Sequence, residues 1–136
     1  MITYFDTNVL IHSVIDQDRL RRHTSQKLLD LAIVKNEIIL SPLSIIEFVY
    51  VLSRLKLEDD FIRDRSQFFS RFVSNSIDTE ILKNALSACG SGAKYKNIND
   101  AIHLFFAESY ADILYTYDSD FKSLTPLAKI KVKILN

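Results

Sequence analysis

The sequence is poor in the residues that break or cross-link a chain. Its 136 residues include two glycines, two prolines and one cysteine. With so few glycines and prolines, long irregular loops are not expected, and most of the chain should be regular structure. The single cysteine, Cys89, excludes an intramolecular disulfide and fits a reducing, cytoplasmic setting. With no neighbour in the sequence to activate its thiol, it reads as a small buried apolar residue. No apolar run reaches the roughly 18 residues of a membrane span. Asp6 interrupts the N-terminal apolar stretch, so no signal peptide is expected. An excess of one charge is also missing: 17 basic side chains balance 17 acidic ones. Bulk charge therefore gives no sign of a nucleic-acid binder, and any such partner would need a local basic patch.

What is present is ordinary for a folded domain. Hydrophobic residues make up 48% and charged residues 25%. The length suggests one domain, 1–136, able to bury about two-thirds of its unfolded surface. Ile2 to Phe5 reads as a short buried strand and Asn8 to Ile15 as a helix. A polar connection leads to a helix at 20–35, and "EIIL" (37–40) is a second strand. Helices are expected over 44–55, 58–72, 79–88 and 97–111, the third of these capped by Gly90. "FVSNSID" (72–78), "DILYTY" (112–117) and "KIKVKIL" (129–135) read as strands. Lys129, Lys131 and Lys133 alternate with Ile130, Val132 and Ile134, as suits a half-exposed edge strand whose lysines discourage further pairing. Short apolar strands alternating with longer helices imply an α/β fold, a three-layer α/β/α sandwich with a central, mostly parallel sheet.

Four acids fall at equivalent places in that plan. Asp6 ends the first strand, Glu47 and Asp100 lie in the first turns of their helices, and Asp118 follows the strand "ILYTY". Strand carboxyl ends in a parallel sheet share one edge, where ligands bind. Each acid alone has a local explanation. Ser44-x-x-Glu47 has the form of a capping box, and Asn97-x-x-Asp100 is a near relative. Either acid would also favour its helix dipole, and Asp6 and Asp118 suit turns. Together, and each beside apolar sequence, they point to one cleft. Carboxylates gathered there repel one another and resist desolvation. A hard divalent cation, Mg2+ or Mn2+, removes that cost and can activate water against a phosphodiester.

"YFDTNVLI", the Glu47 of "SPLSIIEFVYVL", the Asp100 of "NINDAIHLFFA" and "ILYTYDSDF" resemble the successive motifs of PIN-domain nucleases, in order and over essentially the whole chain. The small size is most similar to VapC-like toxins of toxin–antitoxin pairs. The resemblance implies a parallel sheet of about four or five strands and an acidic cleft that binds Mg2+ or Mn2+ and cuts RNA. Carried over by position, Asp6, Glu47, Asp100 and Asp118 would be the catalytic, metal-binding quartet, with Asp6, Asp100 and Asp118 named as the metal ligands. Thr7 or Asn8, and Thr116, would orient carboxylates or the bound water. Asp120 competes with Asp118 for the fourth place, and Asp118 ranks first because it stands at the family's acidic or amide position. The resemblance also implies a cognate antitoxin and a homodimer, with transfer RNA as one candidate substrate.

Other features complete the reading. Arg19, Arg21 and Arg22 of "DRLRRH", and Lys94 and Lys96 of "CGSGAKYKN", are candidate contacts for RNA backbone. The second segment lacks the glycine spacing and Lys-Ser/Thr of a P-loop. His12, His23 and His103 show no metal-ligand spacing; His103 lies one turn past Asp100, which leaves a minor cleft role open, and packing is the expectation. Phe61, Phe68, Phe69 and Phe72 form an aromatic stripe expected mostly in the core. A groove between the helices at 44–55 and 58–72 is the candidate seat for an apolar partner segment, for which the resemblance suggests the antitoxin. A phosphatase of the haloacid dehalogenase kind needs Asp-x-Asp after its first strand, and here the position is Asn8. A catalytically silent RNA- or protein-binding module on the same fold is the second rival.

Overall fold

Tyr4 and Phe5 are neighbours in the chain and belong to opposite cores. Successive side chains of a strand point to opposite faces, so a strand apolar at every position must be covered on both sides. A computed structural model describing residues 1–136 shows that arrangement throughout. Four strands, β1 (Thr3–Phe5), β2 (Ile38–Ile39), β3 (Ile113–Thr116) and β4 (Lys131–Ile134), form one sheet in the order β2-β1-β3-β4. Every pairing is parallel, with Thr3 beside Ile38, Tyr4 beside Leu114 and Leu114 beside Val132.

Six helices cover the sheet: α1 (Thr7–Val14), α2 (Arg19–Val34), α3 (Pro42–Arg54), α4 (Asp59–Ser70), α5 (Thr79–Gly90) and α6 (Ile98–Tyr110). Tyr4, Ile39 and Leu114 pack with Ile81 and Ala85 of α5 and Leu104 and Phe106 of α6. Phe5 and Leu40 pack with residues of α1 to α4, among them Val9, Leu29, Phe48 and Phe69. Phe48 is fully buried, and truncating it to alanine is expected to cost about 3–5 kcal/mol. Cys89 is buried in the first of these cores. No helix is long and apolar enough to cross a membrane.

The chain runs from β1 to β2 on one side and returns to place β3 on the other side of β1. That switch point, at the strand carboxyl ends, is where parallel sheets bind ligands. β4 is one edge of the sheet, and Lys131 and Lys133 are exposed while Val132 and Ile134 are half-buried, as the alternation predicts. Phe69 is buried, Phe61 and Phe72 pack against the second core, and Phe68 is partly exposed.

Four local expectations need correction. The segment 72–78 contributes a single parallel bridge, Leu40 to Val73, rather than a strand. Helix α3 starts at Pro42, and its capping box is Ser41 with Ser44, so Ser44-x-x-Glu47 is not one and Glu47 lies in the second turn. Proline suits the first helical position because that N–H has no helical partner. Asn97 occupies the cap position of α6 but its side chain makes no cap bond. Gly90 ends α5 within the helix, and the positive φ of 152° falls at Gly92 instead.

Candidate metal centre

Asp6 stands where β1 turns into α1. As the helix N-cap it accepts the Thr7 amide at 2.8 Å through Oδ1. Its Oδ2 accepts the Thr116 hydroxyl at 2.7 Å and the Asn8 side-chain amide at 3.3 Å. Thr116 ends β3, so this bond ties the tips of two adjacent strands together. The same hydroxyl accepts the Asp118 N–H at 2.9 Å, and Asn8 Oδ1 accepts the Tyr117 N–H at 3.1 Å. Asp6 is only 5% exposed. Burial raises its pKa above the ordinary carboxylate value, against the opposing pull of His103, Thr116 and Thr7.

Glu47 reaches the same place from α3. Its Oε1 accepts the Thr7 hydroxyl at 2.6 Å and lies 2.6 Å from His103 Nε2, and its Oε2 accepts the Asn99 amide at 2.9 Å. Burial pushes its pKa up, but the bonds and charge of His103, with Thr7 and Asn99, outweigh that and hold it low. Asp100 sits in the first turn of α6 and is half-buried. Burial, then the charges of Asp6 and Asp118, push its pKa up to about 7, and His103 opposes them. Asp118 begins the 3-10 turn Ser119–Ser123 and accepts the Asp120 N–H at 2.8 Å.

The four acids therefore share one electrostatic neighbourhood at the sheet's carboxyl edge. None is paired with lysine or arginine, and the ion pairs of Asp6 and Glu47 both run to His103. Oxygen donors with uncompensated negative charge suit a hard divalent cation. The raised pKa of Asp100 is the sign that the protein alone does not balance that charge. These residues fit Mg2+ or Mn2+.

The remaining candidates lie around this cluster. Asp120 is exposed and lines a separate polar hollow of about 310 Å³ with Lys94, Lys96, Asn97 and Lys122. Arg19 and Arg21 lie in the first turn of α2 and Arg22 follows. Arg21 places its guanidinium 4.8 Å from the centre of the Tyr117 ring, next in sequence to Asp118. Arg22 pairs with Asp16 at 3.6 Å, and Arg19 is exposed. The largest hollow, about 500 Å³, is elsewhere, lined by Val14, Ile15, Leu55, Leu57 and Phe61 with Asp16 and Glu58 among its edges.

His103 is the residue the sequence reading set aside. Asp6, Glu47 and His103 place potential ligand atoms within 4.8 Å of one another. One signal was available: Asn99, Asp100 and His103 are three and four residues apart, which puts them on one face of α6. Tyr4, hydrogen-bonded through its hydroxyl to His103, Ser41 and Ser44, was likewise read only as strand core.

A family model described as "PIN domain" matches residues 3–125. No curated protein sequence matches the chain significantly. Among solved structures, VapBC2 from Rickettsia felis, bound to a DNA fragment from its promoter, contains a chain that matches at TM-score 0.70 and 16% identity, over 100% of both chains. FitAcB from Neisseria gonorrhoeae matches at TM-score 0.69 and 18% identity over 96% of each chain. VapBC-5 of Mycobacterium tuberculosis matches at TM-score 0.61 and 18% identity over 98% of each. At these identities the likeness is one of fold.

Proposed function

The chain belongs to the PIN-domain family, and from that premise we propose that it is a metal-dependent endoribonuclease acting as the toxin of a VapBC-type toxin–antitoxin pair. The observation that carries this reading is Asp100, whose pKa is lifted to about 7 by burial and by Asp6 and Asp118 across the cleft. Carboxylates are rarely gathered at such a cost without a cation to hold. A bound Mg2+ or Mn2+ would acidify a water and stabilise charge on the scissile phosphate. Asp6, Asp100 and Asp118 would be its ligands. Thr7, Asn8 and Thr116 hold Asp6 in one orientation through their hydrogen bonds. Arg21, beside Tyr117, and Lys94 and Lys96, beside the start of α6, would take backbone phosphates of RNA. Transfer RNA is the substrate the family resemblance suggests.

An antitoxin partner is supported by the solved relatives, which are toxin–antitoxin complexes. Its seat would be the apolar hollow between the end of α1 and the α3–α4 turn, close to the groove expected from the sequence. A homodimer is the assembly the family suggests. Ile46 and Tyr50 on α3, one turn apart, and Leu82 and Leu86 on α5 offer exposed apolar surface for it.

The test is incubation of the purified chain with mixed RNA and Mn2+, beside the Asp6→Asn variant. Wild type should cleave and the variant should not. Equal activity in both would mean a contaminating nuclease and end the proposal. No cleavage together with no Mn2+ binding would favour the silent module.

A further inference from the structure

The proposed chemistry leaves one buried group unused. His103 sits on α6, one turn beyond Asp100, and is 1% exposed. Its Nδ1 is hydrogen-bonded to the Tyr4 hydroxyl, which also bonds the Ser41 and Ser44 hydroxyls, each at 2.9 Å. Its Nε2 lies 2.6 Å from Glu47 Oε1 and 3.5 Å from Asp6 Oδ1.

Three ligand-type atoms so close together look like a metal trio, but their spacing says otherwise. Donors on neighbouring positions of one octahedral ion, each about 2.1 Å from it, are separated by about 3 Å. A gap of 2.6 Å is that of an N–H donating to a carboxylate. Both oxygens of Glu47 are already engaged by protein donors. Thr7 shares Oε1 with His103, and Asn99 donates to Oε2. Nε2 carries a proton toward Glu47 whether Tyr4 donates to Nδ1 or, with the ring charged, accepts from it.

We propose that His103 is a positioning residue: Tyr4 fixes its ring, its Nε2–H fills the space between Asp6 and Glu47, and Glu47 is thereby a hydrogen-bond anchor rather than a metal ligand. The divalent ion is then confined to the side of the cleft formed by Asp6, Asp100 and Asp118. This rests on the metal reading of the site given above. It divides the four acids by task, three that hold the ion and one that holds the helices α1, α3 and α6 together around it.

The test is nuclear magnetic resonance on the full chain labelled with 15N, with and without saturating Mg2+. A slowly exchanging ring N–H is expected, assigned to His103 Nε2 by its loss in His103→Gln. It should persist at saturation while the backbone amides of Asp6 and Asp100 shift. Loss of that proton on adding Mg2+ would make His103 a ligand and overturn the inference, leaving the nuclease proposal intact. No amide shift anywhere would overturn the metal reading itself, and this inference with it. Titration with Mn2+ gives the second arm, on variants shown by circular dichroism to be folded. His103→Leu should weaken binding about tenfold or more, and His103→Gln, whose amide can still donate to Glu47, should recover most of it. Equal losses in the two variants would overturn the positioning role.

Discussion

Glu47 and Asp100 are both half-buried, lie in one cleft, and are driven in opposite directions. Glu47 receives donors from Thr7, Asn99 and His103, and its pKa is held low. Asp100 faces the like charges of Asp6 and Asp118, and its pKa rises to about 7. Burial acts upward on both, so what separates them is the donors and His103 around Glu47 and the like charges around Asp100. Asp6 is the intermediate case, with three donors and a pKa still raised because its burial is nearly complete. The contrast teaches that the protein completes one half of the site itself and leaves the other half charged, for a cation to complete.

The comparison is broken most directly by removing one acid at a time. With Mn2+ present, Asp100→Asn should lower RNA cleavage on the order of a thousandfold, the loss of about 4 kcal/mol of charge stabilisation. Glu47→Gln should lower it by only about tenfold to a hundredfold. Equal losses in a single-turnover assay would erase the distinction between the two acids.

Stability without metal sharpens the same point. Unfolded, Asp100 releases its proton near 3.8; folded, it holds it to about 7. Between those values the folded state binds more protons, so this group's contribution to stability falls as pH rises through that window. The full shift corresponds to about 4 kcal/mol. The partial exposure of Asp100 reduces this to about 1–2 kcal/mol. Asp100→Asn should therefore melt about 5 °C higher than wild type at pH 8 in chelator, and no higher at pH 3.5. Adding Mg2+ at pH 8 should raise the melting temperature of wild type and leave the variant nearly unmoved. A thermal melt in which the variant is destabilised at pH 8 would contradict the account. The smallest effect belongs to Asp120, which is exposed and faces the lysine-lined hollow. Asp120→Asn should change cleavage by less than about threefold, whereas Asp118→Asn should behave like Asp100→Asn.

The layered architecture and the strand-tip positions of Asp6 and Asp118 were legible because both depend on local signals. A short apolar run followed by a polar turn marks a strand tip, and Asp6 and Asp118 stand at such tips. His103 was legible only as a residue one turn past Asp100, and its partners were not. It is flanked by Ile102 and Leu104 on an apolar helix, and only the fold brings Tyr4 and Glu47 to its two nitrogens. The reading of Ser44-x-x-Glu47 as a capping box failed because Pro42 starts the helix earlier and frees Glu47 to turn into the cleft. The strand expected at 72–78 failed because Ser74, Asn75 and Ser76 interrupt the apolar sequence between Val73, which bridges to Leu40, and Ile77, which packs against the other core. Nothing in the spacing of Lys94, Lys96 and Lys122 showed that they would line one hollow with Asp120.

The bond from Thr116 to Asp6 joins residues 110 positions apart, across the central pair of strands. Contacts of such long sequence separation form late, after the entropy of closing the intervening chain has been spent. On a ribosome, a growing chain would carry Asp6 from its first moments and have nothing to orient it until β3 had emerged. Folding of the sheet and completion of the acidic cluster would then be one event, and a partially synthesised chain would hold only a fragment of it.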